Sequence, residues 1–269
     1  MSSARSETVS RVVDPVAVAA LADLLGSDVD TSPGAPLPAL WHWVALSRWP
    51  ATDTLGPDGH PRRGTGVVPE IDLPRRMFGG GRLTTHAPVP VGAEVTVTTS
   101  AGEPREREGR SGFLVLLDLT VEVRSVDDSP LLTEVQHLVY AGPRPPLPSP
   151  PEPVVAGQAT RLLDGSTLRT DPGLLARFSA LTANPHRIHT DWPYATREEG
   201  YPGLVVHGPL LALVLGEALR RAGSSGAMLE HRGTAPLFCG EPAEISLDDR
   251  SATVHSSAGT HATLRLGDQ

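Results

Sequence analysis

Along the first half of the chain, apolar residues recur first at helical spacing and then in alternation. Residues 15–26, PVAVAALADLLG, form an amphipathic stretch with Pro near its start and Gly at its end, the usual punctuation of a helix. Residues 38–49, PALWHWVALSRW, predict a second and mostly buried helix, and the Gly/Pro-rich stretch 55–70 predicts a loop. Three β-rich runs follow at 93–103, 111–125 and 131–142, separated by the turn-like segments GEPREREGRSG and VDDSP.

The second half opens with a helix in DPGLLARFSALTA, residues 171–183, with Asp171 as N-cap and Pro172 in the first turn. Residues 208–222 are apolar on nearly every face until Glu217, which predicts a helix buried inside the protein rather than lying on its surface. Short strand candidates close the chain at 226–238, 242–249, 251–257 and 260–267. One buried helix followed by antiparallel strands predicts an α+β layer, a sheet wrapped around a helix. Between the halves, GPRPPLPSPPEPVVAG is too rich in proline for helix or central strand and reads as an extended connector. The expected organisation is an N-terminal domain over 1–142, a linker over 143–157 and a C-terminal catalytic domain over 158–269.

Composition narrows the function. The chain of 269 residues is 39% hydrophobic and 20% charged, ordinary for a globular protein with a substantial core. A formal charge of −8 leaves no surplus of cation for phosphate backbones, so no nucleic-acid partner is expected. All 23 basic residues are arginine, which reads as a codon effect before a functional one. Cys239 is the only cysteine, so no internal disulfide can form. No apolar run has signal-peptide or membrane-spanning character, so a cytoplasmic protein with no membrane partner is expected.

The chemistry gathers in FSALTANPHRIHTDWPYA, which places Asn184, His186, Arg187, His189 and Asp191 within eight positions. Three readings compete. The helix could end there with polar decoration that complements its dipole. His186, His189 and Asp191 could ligate a metal, although their spacing matches no zinc signature and no cysteine is near. A histidine beside an amide could also move a proton. Downstream, His207-Gly208-Pro209 opens the buried helix, whose first turn presents unpaired N–H groups able to stabilise an oxyanion. A proton-transfer histidine together with an oxyanion corner is more specific than either alone. Elsewhere, 73–82 (LPRRMFGGGR) reads as a glycine-rich turn before a strand; Arg75, Arg76 or Arg82 could meet CoA phosphates or a substrate carboxylate. Trp41 and Trp43 fit either core or an acyl pocket.

The stretch FSALTANPHRIHTDWPYA…EGYPGLVVHGPLLALVL resembles the MaoC-like, or R-specific, enoyl-thioester hydratase family, in the branch of hydroxyacyl-thioester dehydratase type 2 and mesaconyl-CoA hydratase. LPALWHW, LGPDGHPRRG, LPRRMFGGGRL and EGRSGFLVLLDLTVE resemble that branch's N-terminal domain. The resemblance implies a double hot-dog fold, two antiparallel sheets each wrapped around a long helix. It also implies reversible addition of water across the α,β-double bond of an acyl thioester, without metal or redox cofactor. CoA or an acyl carrier protein would carry the substrate, and the protein would be a monomer or a homodimer. On the family pattern S-G-D-x-N-P-I-H, His189 falls on the catalytic histidine and Asn184 on its aspartate partner, with Asp191 as the alternative partner after a two-residue slip. The implied roles are His189 as base, Asn184 orienting water or imidazole, and the Gly208 N–H holding the thioester carbonyl. His186, Arg187, Asp191, Tyr201, His207 and Pro209 would surround the substrate. A hot-dog thioesterase and a non-catalytic thioester-binding protein are the competing functions.

Overall fold

The computed structural model describes residues 5–109, 112–145, 147–149, 151–154 and 162–267. Its strands are β1 (Ser6–Val12), β2 (Arg75–Thr85), β3 (Glu94–Ala101), β4 (Arg105–Gly109), β5 (Gly112–Ser125), β6 (Pro130–Ala141), β7 (Leu163–Asp164), β8 (Thr167–Leu168), β9 (Met228–Gly233), β10 (Ala243–Leu247), β11 (Ser251–Ser256) and β12 (Gly259–Gly267). The α-helices are α1 (Pro15–Leu25), α2 (His42–Ala45), α3 (Pro172–Leu181) and α4 (Gly208–Arg221). The strands form a single antiparallel sheet in the order β1-β3-β5-β6-β2-β9-β12-β11-β10-β8-β7, with β4 attached to β5. The two sheets expected from the sequence are therefore continuous. Strands of the first half occupy one side and those of the second half the other, and they meet where β2 pairs with β9.

Helix α4 is the hub. Leu210, Leu211, Leu213, Val214, Leu215 and Leu219 are buried, and the helix packs on β2, β9, β10, β11 and β12. Each such side chain contributes on the order of 1.5–3 kcal/mol by leaving water. Helix α1 forms as expected: the Asp14 side chain accepts from the Val16 N–H, and Gly26 closes the helix in the left-handed region at φ 60°.

Two sequence expectations are corrected. The helix expected over 38–49 shrinks to α2, four residues long. Pro36 and Pro38 hold the chain extended before it, and Leu40 adopts φ 70°, incompatible with a helix start upstream. The glycine run of LPRRMFGGGR is not a turn but the middle of β2. A Cβ on Gly80 would lie 2.2 Å from the His231 carbonyl oxygen, and one on Gly81 would lie 2.4 Å from that of Val135. The strand is flanked so closely by β9 and β6 that only glycine fits. The ladder slips between Phe78 and Gly80, leaving Gly79 as a bulge against the cavity described below. The expected linker lies partly outside the described residues; 143–145, 147–149 and 151–154 carry neither helix nor strand.

Candidate active site

Helix α3 starts on Asp171, whose side chain accepts from the Leu174 N–H, and ends with Ala183 at φ 48°. That left-handed residue turns the chain so that the Asn184 N–H bonds the Ser179 carbonyl, closing the helix end. The polar segment then leaves the helix as a single 3₁₀ turn, Arg187–His189. The bland reading is therefore correct for the helix end and incomplete for the side chains beyond it.

His189 is 6% exposed and lines a cavity of about 590 Å³ built from both halves of the chain. Its Nδ1 lies 2.7 Å from the Val205 carbonyl oxygen, which can only accept, so Nδ1 carries the proton and Nε2 keeps its lone pair. Burial, then the charge of His186, push the imidazole down to about 3, so it is neutral at physiological pH. Asn184 also lines the cavity. Its Oδ1 accepts from the His186 N–H at 3.1 Å, which occupies one of that oxygen's two lone pairs and leaves a neutral amide rather than a carboxylate beside the cavity.

Gly208 and Pro209 line the same cavity at the start of α4. Among the described residues no group accepts from the Gly208 N–H, so the helix presents it unpaired. A Cβ on Gly208 would sit 3.3 Å from Phe78 Cδ1, so glycine keeps this corner open. His207 lies behind the cavity wall rather than in it. It is fully buried, its ring stacks on His189 at 3.6 Å, and its Nε2 meets the Ser179 hydroxyl at 2.8 Å.

The remaining expected residues divide. His186 and Tyr201 line the cavity, Tyr201 under the Arg144 guanidinium at 4.6 Å. Asp191 does not reach His189: it accepts from Arg187 Nη2 at 2.7 Å and from the Tyr194 N–H at 3.1 Å. Arg187 is spent on that pair and on the Pro57 carbonyl. Of the three arginines around the glycine run, Arg76 alone lines the cavity. Arg75 is buried with Nε on the Gly142 carbonyl, and Arg82 is paired with Glu230 on the solvent face. Trp41 is core, whereas Trp43 faces the cavity and donates to the buried Glu134 carboxylate at 2.8 Å.

The structure also adds residues the sequence reading passed over. Asp58 and His60 sit in the loop after Leu55, and His60 lines the cavity with its ring 4.0 Å from that of His186. A histidine two positions after an aspartate in a glycine-rich turn was the available signal. Ligand atoms of Asp58, His60 and His186 lie within 4.8 Å of one another, as a metal site would require. The positive charge of Arg76 acting on His60 works against a cation at that point.

The family model for hydroxyacyl-thioester dehydratase type 2 matches residues 40–239. Mesaconyl-C(4)-CoA hydratase of Chloroflexus aurantiacus is 41% identical over 226 residues, covering 82% of this chain and 78% of that protein. Among solved structures, HtdX of Mycobacterium tuberculosis superposes with a TM-score of 0.63 at 22% identity, covering 97% of this chain and 98% of that one. A second M. tuberculosis protein, described as having a double hotdog fold, superposes with a TM-score of 0.56 at 15% identity, covering 98% and 95%. The fold is thus a double hot-dog, and the chain belongs to the hydroxyacyl-thioester dehydratase type 2 family.

Proposed function

We propose that this hydro-lyase adds water across the double bond of an α,β-unsaturated acyl-CoA whose acyl group carries a second carboxylate, a mesaconyl-CoA-like thioester. The observation that carries the reaction is the state of His189: a neutral imidazole with Nδ1–H pinned to Val205 and a lone pair on Nε2, lining a cavity shared with the Asn184 amide. The thioester carbonyl lies at the start of α4 and accepts from the Gly208 N–H, which stabilises the enolate oxygen as charge develops. Water gives one proton to His189 Nε2 as its oxygen bonds the β-carbon, and the imidazolium returns that proton to the α-carbon. Water is consumed and His189 ends neutral. The reverse sequence is dehydration.

Arg76 supports the second carboxylate. It lines the cavity, and no carboxylate of the described residues lies within 4 Å of it. Burial depresses it first, with Tyr140 and Asp58 working the other way. A cation held there without an ion-pair partner is costly, and a substrate carboxylate relieves the cost. The 41%-identical relative whose name specifies a mesaconyl thioester is consistent with this choice. The test is to incubate the protein with mesaconyl-CoA and with crotonyl-CoA, following enoyl-thioester absorbance and free thiol together. Loss of absorbance without thiol, faster for mesaconyl-CoA, is expected. Thiol release would instead make the protein a thioesterase, and binding without change would make it a thioester-binding protein.

A further inference from the structure

Asn184 stands where the family pattern places an acid, and here its one acceptor oxygen is already engaged by the His186 N–H. A water poised for attack has two O–H bonds to dispose of. His189 Nε2 takes one of them, and Asn184 can offer the other only the remaining lone pair of a neutral amide oxygen, a weaker acceptor than a carboxylate. The segment that carries His189 leaves no strong acceptor free for the second: Asp191 is paired with Arg187, and His186 turns its Nε2 toward Glu199 at 3.5 Å.

The first half of the chain supplies one. Loop residues around Gly59 are fastened to the 184–189 segment by backbone contacts: the Arg187 N–H donates to the Asp58 carbonyl at 2.9 Å, and Arg187 Nη1 donates to that of Pro57 at 2.9 Å. Gly59 adopts φ 91°, and a Cβ there would lie 2.0 Å from the Pro185 carbonyl oxygen, so the loop approaches as closely as a backbone can. This docking places His60 in the cavity wall against His186, whose ring in turn meets His189 edge-on at 5.5 Å. The Asp58 carboxylate grips His60 twice, at the backbone N–H at 3.0 Å and at Nδ1 at 3.3 Å. An ionised carboxylate can only accept, so Nδ1 carries the ring proton and Nε2 carries the lone pair. Burial first, then Arg76, keep His60 well below the ordinary imidazole value, although Asp58 pulls the other way; the ring is neutral.

Building on the hydratase reading above, we infer that Asp58 and His60 form the second half of the catalytic apparatus, His60 Nε2 accepting the second O–H of the attacking water in place of the absent carboxylate. Asp58 is a positioning residue that fixes the tautomer. His60 touches the water and is catalytic, although it gains and loses no proton. The O–H it accepts becomes the hydroxyl of the product.

The test combines H60A, D58N and N184D in the full-length chain, with turnover of mesaconyl-CoA, thermal melting and ¹⁵N NMR of the histidine rings. H60A is expected to lose about 100-fold or more in kcat with little change in KM. D58N, nearly isosteric, is expected to lose a similar factor and to move the His60 proton from Nδ1 to Nε2 in the NMR spectrum. Adding N184D to H60A is expected to restore at least tenfold, since one carboxylate oxygen can cap the His186 N–H while the other accepts from water. A purely structural histidine would not be rescued from position 184. The inference is overturned if H60A stays within threefold of wild type, or if its loss is unrelieved by N184D and tracks a lowered melting temperature. It is also overturned if chelation abolishes wild-type turnover and zinc restores it, which would make the Asp58, His60 and His186 group a metal site. A wild type that hydrates neither enoyl thioester would remove the reaction itself, an outcome distinct from all of these.

Discussion

The imidazoles of His189 and His207 lie face to face, with ring centroids 3.6 Å apart and planes 19° from parallel. Both are buried, and neither can take a proton without placing a cation in an apolar wall against its neighbour. Burial and His186 push His189 down to about 3; burial and His189 push His207 well below the ordinary value. In the unfolded chain both would titrate near 6.5. Between those values the unfolded state binds more protons, so stability is complete above about pH 6.5 and falls as pH drops toward the folded values, by roughly 1.4 kcal/mol per pH unit per histidine. Urea titrations at pH 7.5, 6.0 and 5.0 should show that decline. Over the range in which the protein stays folded, kcat/KM should show no acidic limb near 6.5; such a limb would mean that the base is not this buried ring.

Replacing His189 removes the base while leaving its scaffold. His189→Ala should lower kcat by about 10³-fold or more with an unchanged circular dichroism spectrum. Near wild-type turnover would take the assignment away from His189.

Arg76 should govern which acyl group is accepted. Arg76→Met is expected to reduce kcat/KM for mesaconyl-CoA by about 10- to 100-fold, the worth of a charged hydrogen bond, and to reduce it far less for crotonyl-CoA. An equal loss on both substrates would point to a structural role.

The corner at Gly208 is tight for a side chain. Gly208→Ala puts a methyl group 3.3 Å from Phe78 Cδ1 at the mouth of α4. A loss of about tenfold in kcat with the melting temperature nearly unchanged is expected, and unaltered kinetics would argue that the carbonyl docks elsewhere.

Gly80→Ala tests the junction of the halves. Its Cβ would fall 2.2 Å from the His231 carbonyl oxygen, a backbone atom that cannot rotate away. We expect at least 3 kcal/mol of destabilisation, read by urea unfolding, or loss of soluble protein.

Local chemistry made much of this legible in the sequence. The caps at Gly26 and Asp171 and the unbroken apolar run of α4 carry their meaning within a few residues, and they formed as read. What escaped depends on neighbours remote in the chain. The glycine run looks like a turn until β6 and β9 are seen pressing on it from both sides. His60 looks like loop decoration until the contact at Gly59 carries it across 126 residues to His186.

The pairing of β2 with β9, from Gly80 opposite Arg232 to Thr84 opposite Met228, ties the halves by backbone hydrogen bonds, and the loop at Gly59 clasps them a second time. Chain connectivity is therefore not all that keeps the molecule in one piece. The start of the proline-rich stretch joins the same seam, with Arg144 over the Tyr201 ring at 4.6 Å. Their union has the character of a subunit interface written into one polypeptide.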